Sequence, residues 1–360
     1  MGEKLLMKGN EAIAEAAIRA GCKLFFGYPI TPQTELAEYM AKQMPKRGGL
    51  SLQAESEIAA INMVLGAAST GARVITSSSS PGISLKSEGI SYIIGSDLPC
   101  VIVNVQRGGP GLGGIQPAQS DYNQATKALG HGDGHAIVLA PNSVQEMHDF
   151  VADAFDLAFK YRNPAMILAD GCIGQMMEKV VLAPQRPRKT KEEIAAECKS
   201  WALIGKTDDR ERNVITSLEL KSEVMEVNNQ RLQAKYATIR ENEVRYDAIE
   251  CDDADYVIVA FGSSSRICSA TVEMARAEGI KLGLLRPITL YPFPTKAIAE
   301  LAERGVKGFL SAELNAGQMV EDVRLAVNGK APVEHFGRMG GMLFSPDEVL
   351  KAVKEKLINR

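Results

Sequence analysis

Three side chains in the first third of the chain have the types and settings that chemistry requires. Glu57 opens an apolar helical run, Ala54-Glu-Ser-Glu57-Ile-Ala-Ala-Ile-Asn-Met-Val-Leu-Gly66. A carboxylate there meets the positive end of the helix dipole, while burial raises its proton affinity and favours a hydrogen-bonding role. Ordinary N-terminal charge preference explains Glu55; for Glu57 that reading and a functional one both stand. Arg107 emerges from a strand-like run into Asn104-Val-Gln-Arg107-Gly-Gly-Pro-Gly-Leu-Gly-Gly114. A guanidinium in such a loop is able to grip a carboxylate through two parallel hydrogen bonds. Thr31 lies in Gly27-Tyr-Pro-Ile-Thr-Pro-Gln-Thr-Glu35, where Pro29 and Pro32 stiffen a loop at the end of a strand. Open α/β sheets bind ligands at that end; a Pro-stiffened turn with Thr34 as helix N-cap is the plain alternative. A fourth segment, Thr76-Ser-Ser-Ser-Ser-Pro-Gly-Ile-Ser84, reads as a small polar loop that brings amides and hydroxyls towards a ligand, with Pro81 arguing against a floppy linker.

The elements that must position these residues alternate. Residues 10–20 read as helix, 23–27 as strand, 35–44 as helix, 57–70 as a deeply buried helix, and 74–76 and 99–106 as strands. Ser143 to Lys160 reads as helix and Ala165 to Ala169 as strand, so residues 1–185 form βα units around a parallel sheet covered on both faces. Residues 186–250 are dense in charge around Trp201 and lead into a long charged helix over 218–247, with Leu218, Val224, Leu232, Tyr236 and Ile239 as its apolar side. A second α/β domain, 251–360, opens with the buried-strand run Tyr256-Val-Ile-Val-Ala-Phe261 and the helix Ile267 to Glu278, stopped by Gly279. Strands follow at 281–285 and 308–311, and Pro346 to Ile358 closes the chain as a helix.

Bulk properties exclude several classes. A chain of 360 residues exceeds what one core usually supports, so two domains are expected. With 45% hydrophobic and 24% charged residues and a net charge of -3, there is no nucleic-acid footprint. No apolar run reaches membrane-spanning length and Met1-Gly-Glu-Lys begins no signal peptide, which predicts a cytoplasmic protein with no membrane partner. The six cysteines are scattered with no CxxC, so they read as reduced, packed thiols, and no metal site is expected in this chain.

Taken together, Tyr28-Pro-Ile-Thr-Pro32, the Ser56-Glu57 helix start with Gly66-Ala67, Ser80-Pro-Gly-Ile-Ser-Leu85 and Gln106-Arg-Gly-Gly-Pro110 make the chain resemble the alpha-type subunits of 2-oxoacid:ferredoxin oxidoreductases over essentially its full length. That resemblance implies a pyrimidine-binding domain of thiamine-diphosphate enzymes followed by a transketolase C-terminal-like domain. It implies that Glu57 bonds N1′ of the aminopyrimidine, favouring the imino tautomer that takes the C2 proton of the thiazolium. Arg107 and Thr31 would orient the 2-oxoacid carboxylate, and Tyr28, Pro29, Ile30, Ser80 and Pro81 would border the cofactor. The family places the diphosphate site, Mg2+ and the proximal iron–sulfur cluster in a beta-type subunit, with gamma and ferredoxin-like delta subunits completing the complex. Coenzyme A is a substrate and ferredoxin the acceptor.

The run Gly108 to Pro117 and the opening Leu6-Met-Lys-Gly-Asn-Glu11 look most like the 3-methyl-2-oxobutanoate (2-ketoisovalerate) type. Leu112 would then face the substrate side chain, where the 2-oxoglutarate type carries a Ser-Thr pair. A 2-oxoglutarate enzyme, a non-catalytic scaffold and a transketolase-like enzyme without ferredoxin are the alternatives. Gly132-Asp-Gly134 superficially matches the start of a thiamine diphosphate motif, but Asn142 follows too soon, so a turn is expected there.

Overall fold

In the computed structural model, which describes residues 3–206 and 211–359, two α/β layers pack side by side. The first holds a seven-stranded sheet in the order Thr289–Tyr291, Ile137–Leu139, Ala165–Asp170, Val101–Gln106, Val74–Ser78, Leu24–Gly27, Leu50–Gln53. Its strands run parallel except the outermost pair, where Thr289–Tyr291 lies antiparallel to Ile137–Leu139. The central strands Val101–Gln106 and Ala165–Asp170 are buried at every residue, as a parallel sheet covered by helices on both faces requires. A short ribbon pairs Lys4–Lys8 antiparallel to Met177–Val181.

The second layer is a five-stranded sheet ordered Val333–Gly337, Gly308–Glu313, Tyr256–Val259, Leu282–Pro287, Tyr246–Ile249. Its outer strand Tyr246–Ile249 is antiparallel and the rest are parallel. The layers are tied by buried polar groups as well as by the shared strand. The Arg286 guanidinium, 3% exposed, donates to Glu146 and to Asp247. Asp170 accepts from the amide of Ser263, and Gln119 donates to the carbonyl of Phe261 at 2.8 Å.

Several expectations are corrected. The polar run from Thr76 is a strand as far as Ser78 and a helix from Pro81, leaving only two residues of turn, because Pro81 at the first helical position pre-sets φ. Gln33, not Thr34, is the N-cap residue of the helix Thr34–Gln43, and it makes no side-chain cap. The long charged helix spans Ser222–Asn242 and docks through Leu232, Tyr236 and Ile239, whereas Leu218 and Val224 face solvent. The helix Glu57–Ser69 is buried on one side only. Ile58 is 49% exposed, and Gly66 has nothing within 4 Å of where a Cβ would stand. Among the described residues no helix is long and apolar enough to cross a membrane. Gly132 and Asp133 form a bend rather than the expected turn, and all six cysteines are free, five of them buried.

Candidate active site

The C-terminal ends of Leu24–Gly27, Leu50–Gln53, Val74–Ser78 and Val101–Gln106 bring the segments 28–33, 54–57, 79–82 and 107–121 to one edge of the large sheet. Ser80 turns the chain there with a φ of 23°, a left-handed value that costs energy for a residue with a Cβ. Buried hydrogen bonds over-determine this turn. Its amide donates to Asn104 Oδ1 at 3.1 Å, its hydroxyl donates to Asp121 Oδ2 at 2.6 Å, and Asn104 Nδ2 donates to the same carboxylate oxygen at 2.9 Å. Burial pushes the Asp121 carboxyl above the usual carboxylate range, opposed by the donations from Ser80 and Asn104.

Glu57 is the first residue of its helix, after the N-cap Ser56, whose hydroxyl accepts from the Ala59 amide at 3.1 Å. Its side chain is 6% exposed, and among the described residues no donor hydrogen-bonds its carboxylate. The carboxylate lies against the first turn of the helix Pro81–Gly95. A Cβ at Gly82 would stand 2.8 Å from Glu57 Oε1 and 2.1 Å from Ser78 Oγ, so only glycine fits between them. The buried hydroxyls of Ser78 and Ser79 are also without partners. Such orphaned polar atoms are costly unless a ligand satisfies them.

Arg107 is buried, and its two terminal nitrogens hold the neighbouring loops: Nη1 donates to the Thr31 carbonyl at 3.0 Å and Nη2 to the Leu112 carbonyl at 2.9 Å. Nε is buried without a partner. Sequence reasoning gave Arg107 only a ligand-gripping role, and the structure adds this loop-clamping one. Thr31 meets Arg107 through its backbone, Tyr28 accepts from Gln33 Nε2 at 3.2 Å, and Pro29 and Ile30 complete the rim. The Leu112 side chain is 86% exposed, so within this chain nothing places it against a pocket wall.

A cleft of about 630 Å³ opens between the two layers, walled by Ser80, Pro81, Gly109, Asp121, Asn315 and Gln318. Sequence reading missed Asp121, the two residues from the second layer, and Lys86. Lys86 is fully buried on the helix Pro81–Gly95, one turn after Gly82. The one available signal was Asn104, already inside the quoted arginine run, which is the partner that orients Asp121.

An α/β chain with a buried carboxylate at the head of a helix that takes no hydrogen bond from the described residues, and a glycine-tight wall beside it, has the features of a cofactor-binding half-site, and its matches give the cofactor class. Residues 15–245 match the family model "Pyruvate flavodoxin/ferredoxin oxidoreductase, thiamine diP-bdg" and residues 254–349 match "Pyruvate:ferredoxin oxidoreductase core domain II". This is a thiamine-diphosphate-binding fold with a second α/β domain. The chain is 50% identical to the ketoisovalerate oxidoreductase subunit VorB of Methanothermobacter marburgensis, over 97% of each chain. It is 38% identical to the 2-oxoglutarate synthase subunit KorA of the same organism, over 98% of this chain and 99% of that one. Among solved structures it matches the 2-oxoglutarate:ferredoxin oxidoreductase from Magnetococcus marinus, with 2-oxoglutarate, coenzyme A and succinyl-CoA bound, at a TM-score of 0.87 and 29% identity. That match covers 98% of this chain and 65% of the other. The chain belongs to the 2-oxoacid:ferredoxin oxidoreductase family.

Proposed function

We propose that this chain supplies the pyrimidine side of a thiamine diphosphate site and, with partner subunits, oxidatively decarboxylates 3-methyl-2-oxobutanoate. The products are an acyl-CoA and CO2, with electrons passed to ferredoxin. The observation that carries the reading is Glu57, a buried carboxylate that takes no hydrogen bond from any described residue, on a helix whose other face, with Ile58 and Gly66, lies open. The residues present fit an aminopyrimidine: Glu57 offers an acceptor to a ring N–H, the Ser78 and Ser79 hydroxyls offer unspent donors, and Gly82 keeps a flat group's space clear. When bound, thiamine diphosphate supplies the electron sink that allows a 2-oxoacid to lose CO2.

The roles of this chain's own residues follow. Glu57 accepts the ring hydrogen bond and holds that proton at the ring nitrogen. Arg107, with Nε and its second terminal hydrogens unspent, recognises the substrate carboxylate, and its bonds to Thr31 and Leu112 fix the loops on either side. Ser80, Pro81, Tyr28, Pro29 and Ile30 shape the wall that excludes water. Leu112 contacts the substrate side chain only when a partner covers its exposed loop. The open face beside Glu57 suits a beta-type subunit carrying the diphosphate, Mg2+ and iron–sulfur elements, with gamma and delta subunits completing a cytoplasmic complex. Residues 1–185, 186–250 and 251–360 are the pyrimidine domain, linker and transketolase-like domain of this assignment.

Reconstituting the complex and measuring coenzyme A-dependent ferredoxin reduction with several 2-oxoacids tests the reading. The highest kcat/KM is expected for 3-methyl-2-oxobutanoate. Preference for 2-oxoglutarate overturns the substrate assignment, and an assembled complex inert towards every 2-oxoacid overturns the catalytic one.

A further inference from the structure

Lys86 is a lysine at 0% exposure in a chain with ample surface for lysines. It lies one turn after Gly82 on the same face of the helix Pro81–Gly95. Its ammonium donates to Thr76 Oγ1 at 2.6 Å and to the Ser77 carbonyl at 3.2 Å, at the end of the strand Val74–Ser78. Both acceptors are neutral, so no carboxylate touches it. Gly82, one turn nearer the site, backs directly onto the Glu57 carboxylate. Lys86 and the side chain of Glu57 thus meet the same helix one turn apart, Glu57 against Gly82 and Lys86 four residues further on.

We propose that Lys86 is a positioning residue that supplies the counter-charge of Glu57 and surrenders its proton when a protonated ring nitrogen takes its place at that carboxylate. The proposal rests on Glu57 facing the pyrimidine ring. The proton balance is simple: one proton leaves Lys86 Nζ and one arrives at the ring nitrogen, so the buried compartment keeps one positive charge against the Glu57 carboxylate. Burial pushes the Lys86 ammonium down to about 7; Glu57 opposes this, and Cys100 would do so only as a thiolate. Those two are the titratable groups that act on it, and burial holds the Cys100 thiol up at about 12, where it stays neutral. A lysine in that range changes charge at little cost near neutral pH.

The test counts protons rather than turnovers. Thiamine diphosphate is titrated with Mg2+ into the cofactor-stripped assembled complex by calorimetry, between pH 6 and 8, in buffers of different ionisation enthalpy. Wild type is compared with Lys86→Met and with Lys86→Gln, which keeps a donor for Thr76 and Ser77 and guards against a folding failure of the first variant. Protons carried by the cofactor itself cancel in the comparison. The wild type is expected to take up fewer protons per cofactor bound than either variant, by a sizeable fraction of one proton. Equal proton counts in wild type and variants overturn the proposal. Failure of the underlying reading looks different: Glu57→Gln would then bind cofactor and turn over as wild type does.

Discussion

Gly82→Ala is the perturbation whose size can be worked from the structure. The added methyl would stand 2.1 Å from Ser78 Oγ, 2.8 Å from Glu57 Oε1 and 3.2 Å from Glu57 Cγ. Non-bonded heavy atoms settle near ~3.5 Å, so the hydroxyl and the carboxylate must each retreat by roughly 1 Å. Ser78 is fully buried and has a short side chain, so rotation moves its hydroxyl into packed surroundings. Overpacking of this kind costs ~1–3 kcal/mol, which lowers the melting temperature of the isolated chain by several degrees. The functional loss is larger than stability alone implies, because displacing a reacting group by ~1 Å costs about a hundredfold. The assay is kcat/KM of the assembled complex with two 2-oxoacids, beside the thiamine diphosphate dissociation constant and the melting curve. If all three stay within twofold or one degree of wild type, the carboxylate does not depend on this wall and the reading of Glu57 fails.

Other outcomes are expected from the same geometry. Glu57→Gln should nearly abolish turnover while assembly survives, and Glu55→Gln should change kcat by less than about threefold; the two rates, measured on assembled complexes, decide which carboxylate acts. Arg107→Lys keeps the charge but loses the fork that spans the Thr31 and Leu112 carbonyls. A loss of ~1.5–3 kcal/mol, or about ten- to a hundredfold in kcat/KM, should fall equally on every 2-oxoacid, whereas Leu112→Ser should change the ratio between 3-methyl-2-oxobutanoate and 2-oxoglutarate. Gly66→Ala should raise the stability of the isolated chain by ~0.5–1 kcal/mol, as expected at an open helical position, yet weaken assembly with the partner subunit; unchanged assembly would mean that this face docks nothing. Finally, the unfolded chain keeps its Lys86 proton up to the ordinary lysine value of 10.5, whereas the folded chain loses it near 7. Unfolded protein therefore binds more protons above pH 7, and folded stability should rise with pH, by up to ~1.4 kcal/mol per unit, with a steeper slope than in Lys86→Met.

What the sequence made legible depended on whether the deciding physics was local. The strands at 24–27, 101–106 and 165–170 announce themselves as apolar runs bounded by turns, and Glu57 and Arg107 stand out because a charge at an element's end is a local anomaly. The helix Pro81–Gly95 was hidden because four serines before a proline and a glycine look like a loop, although proline also starts helices. With that helix went Lys86, whose burial no neighbour in sequence announces. Thr289–Tyr291 joins the far sheet by pairing with Ile137–Leu139, a contact between remote segments to which periodicity is blind. Asp121 follows a glycine-rich stretch without pattern, and only the folded arrangement brings it to Ser80 and Asn104.

The misjudged burial of the helix Glu57–Ser69 has the most functional content of these differences. A helix apolar all round is the pattern of a core element, and sequence gives no means to separate a face buried by its own chain from one waiting for another. In the structure Ala60, Ile61 and Val64 are covered, while Ile58 and Gly66 are open, with Leu85 and Tyr92 half-exposed on the helix packed beside them. This exposed apolar surface, broken by the exposed Asn62 between Ile58 and Gly66, suits a protein partner. It borders a buried carboxylate that lacks a donor, and these two deficits have one remedy. A second chain that covers the apolar face also excludes water from Glu57 and raises the strength of each polar contact there. Covering the face and completing the site are then one event, so a substitution that weakens assembly, such as Gly66→Ala, should weaken thiamine diphosphate binding in proportion. Cofactor affinity and subunit affinity, measured across a series of substitutions at Ile58, Gly66 and Leu85, should fall on one line; scatter between them would mean that the cofactor site forms without the partner.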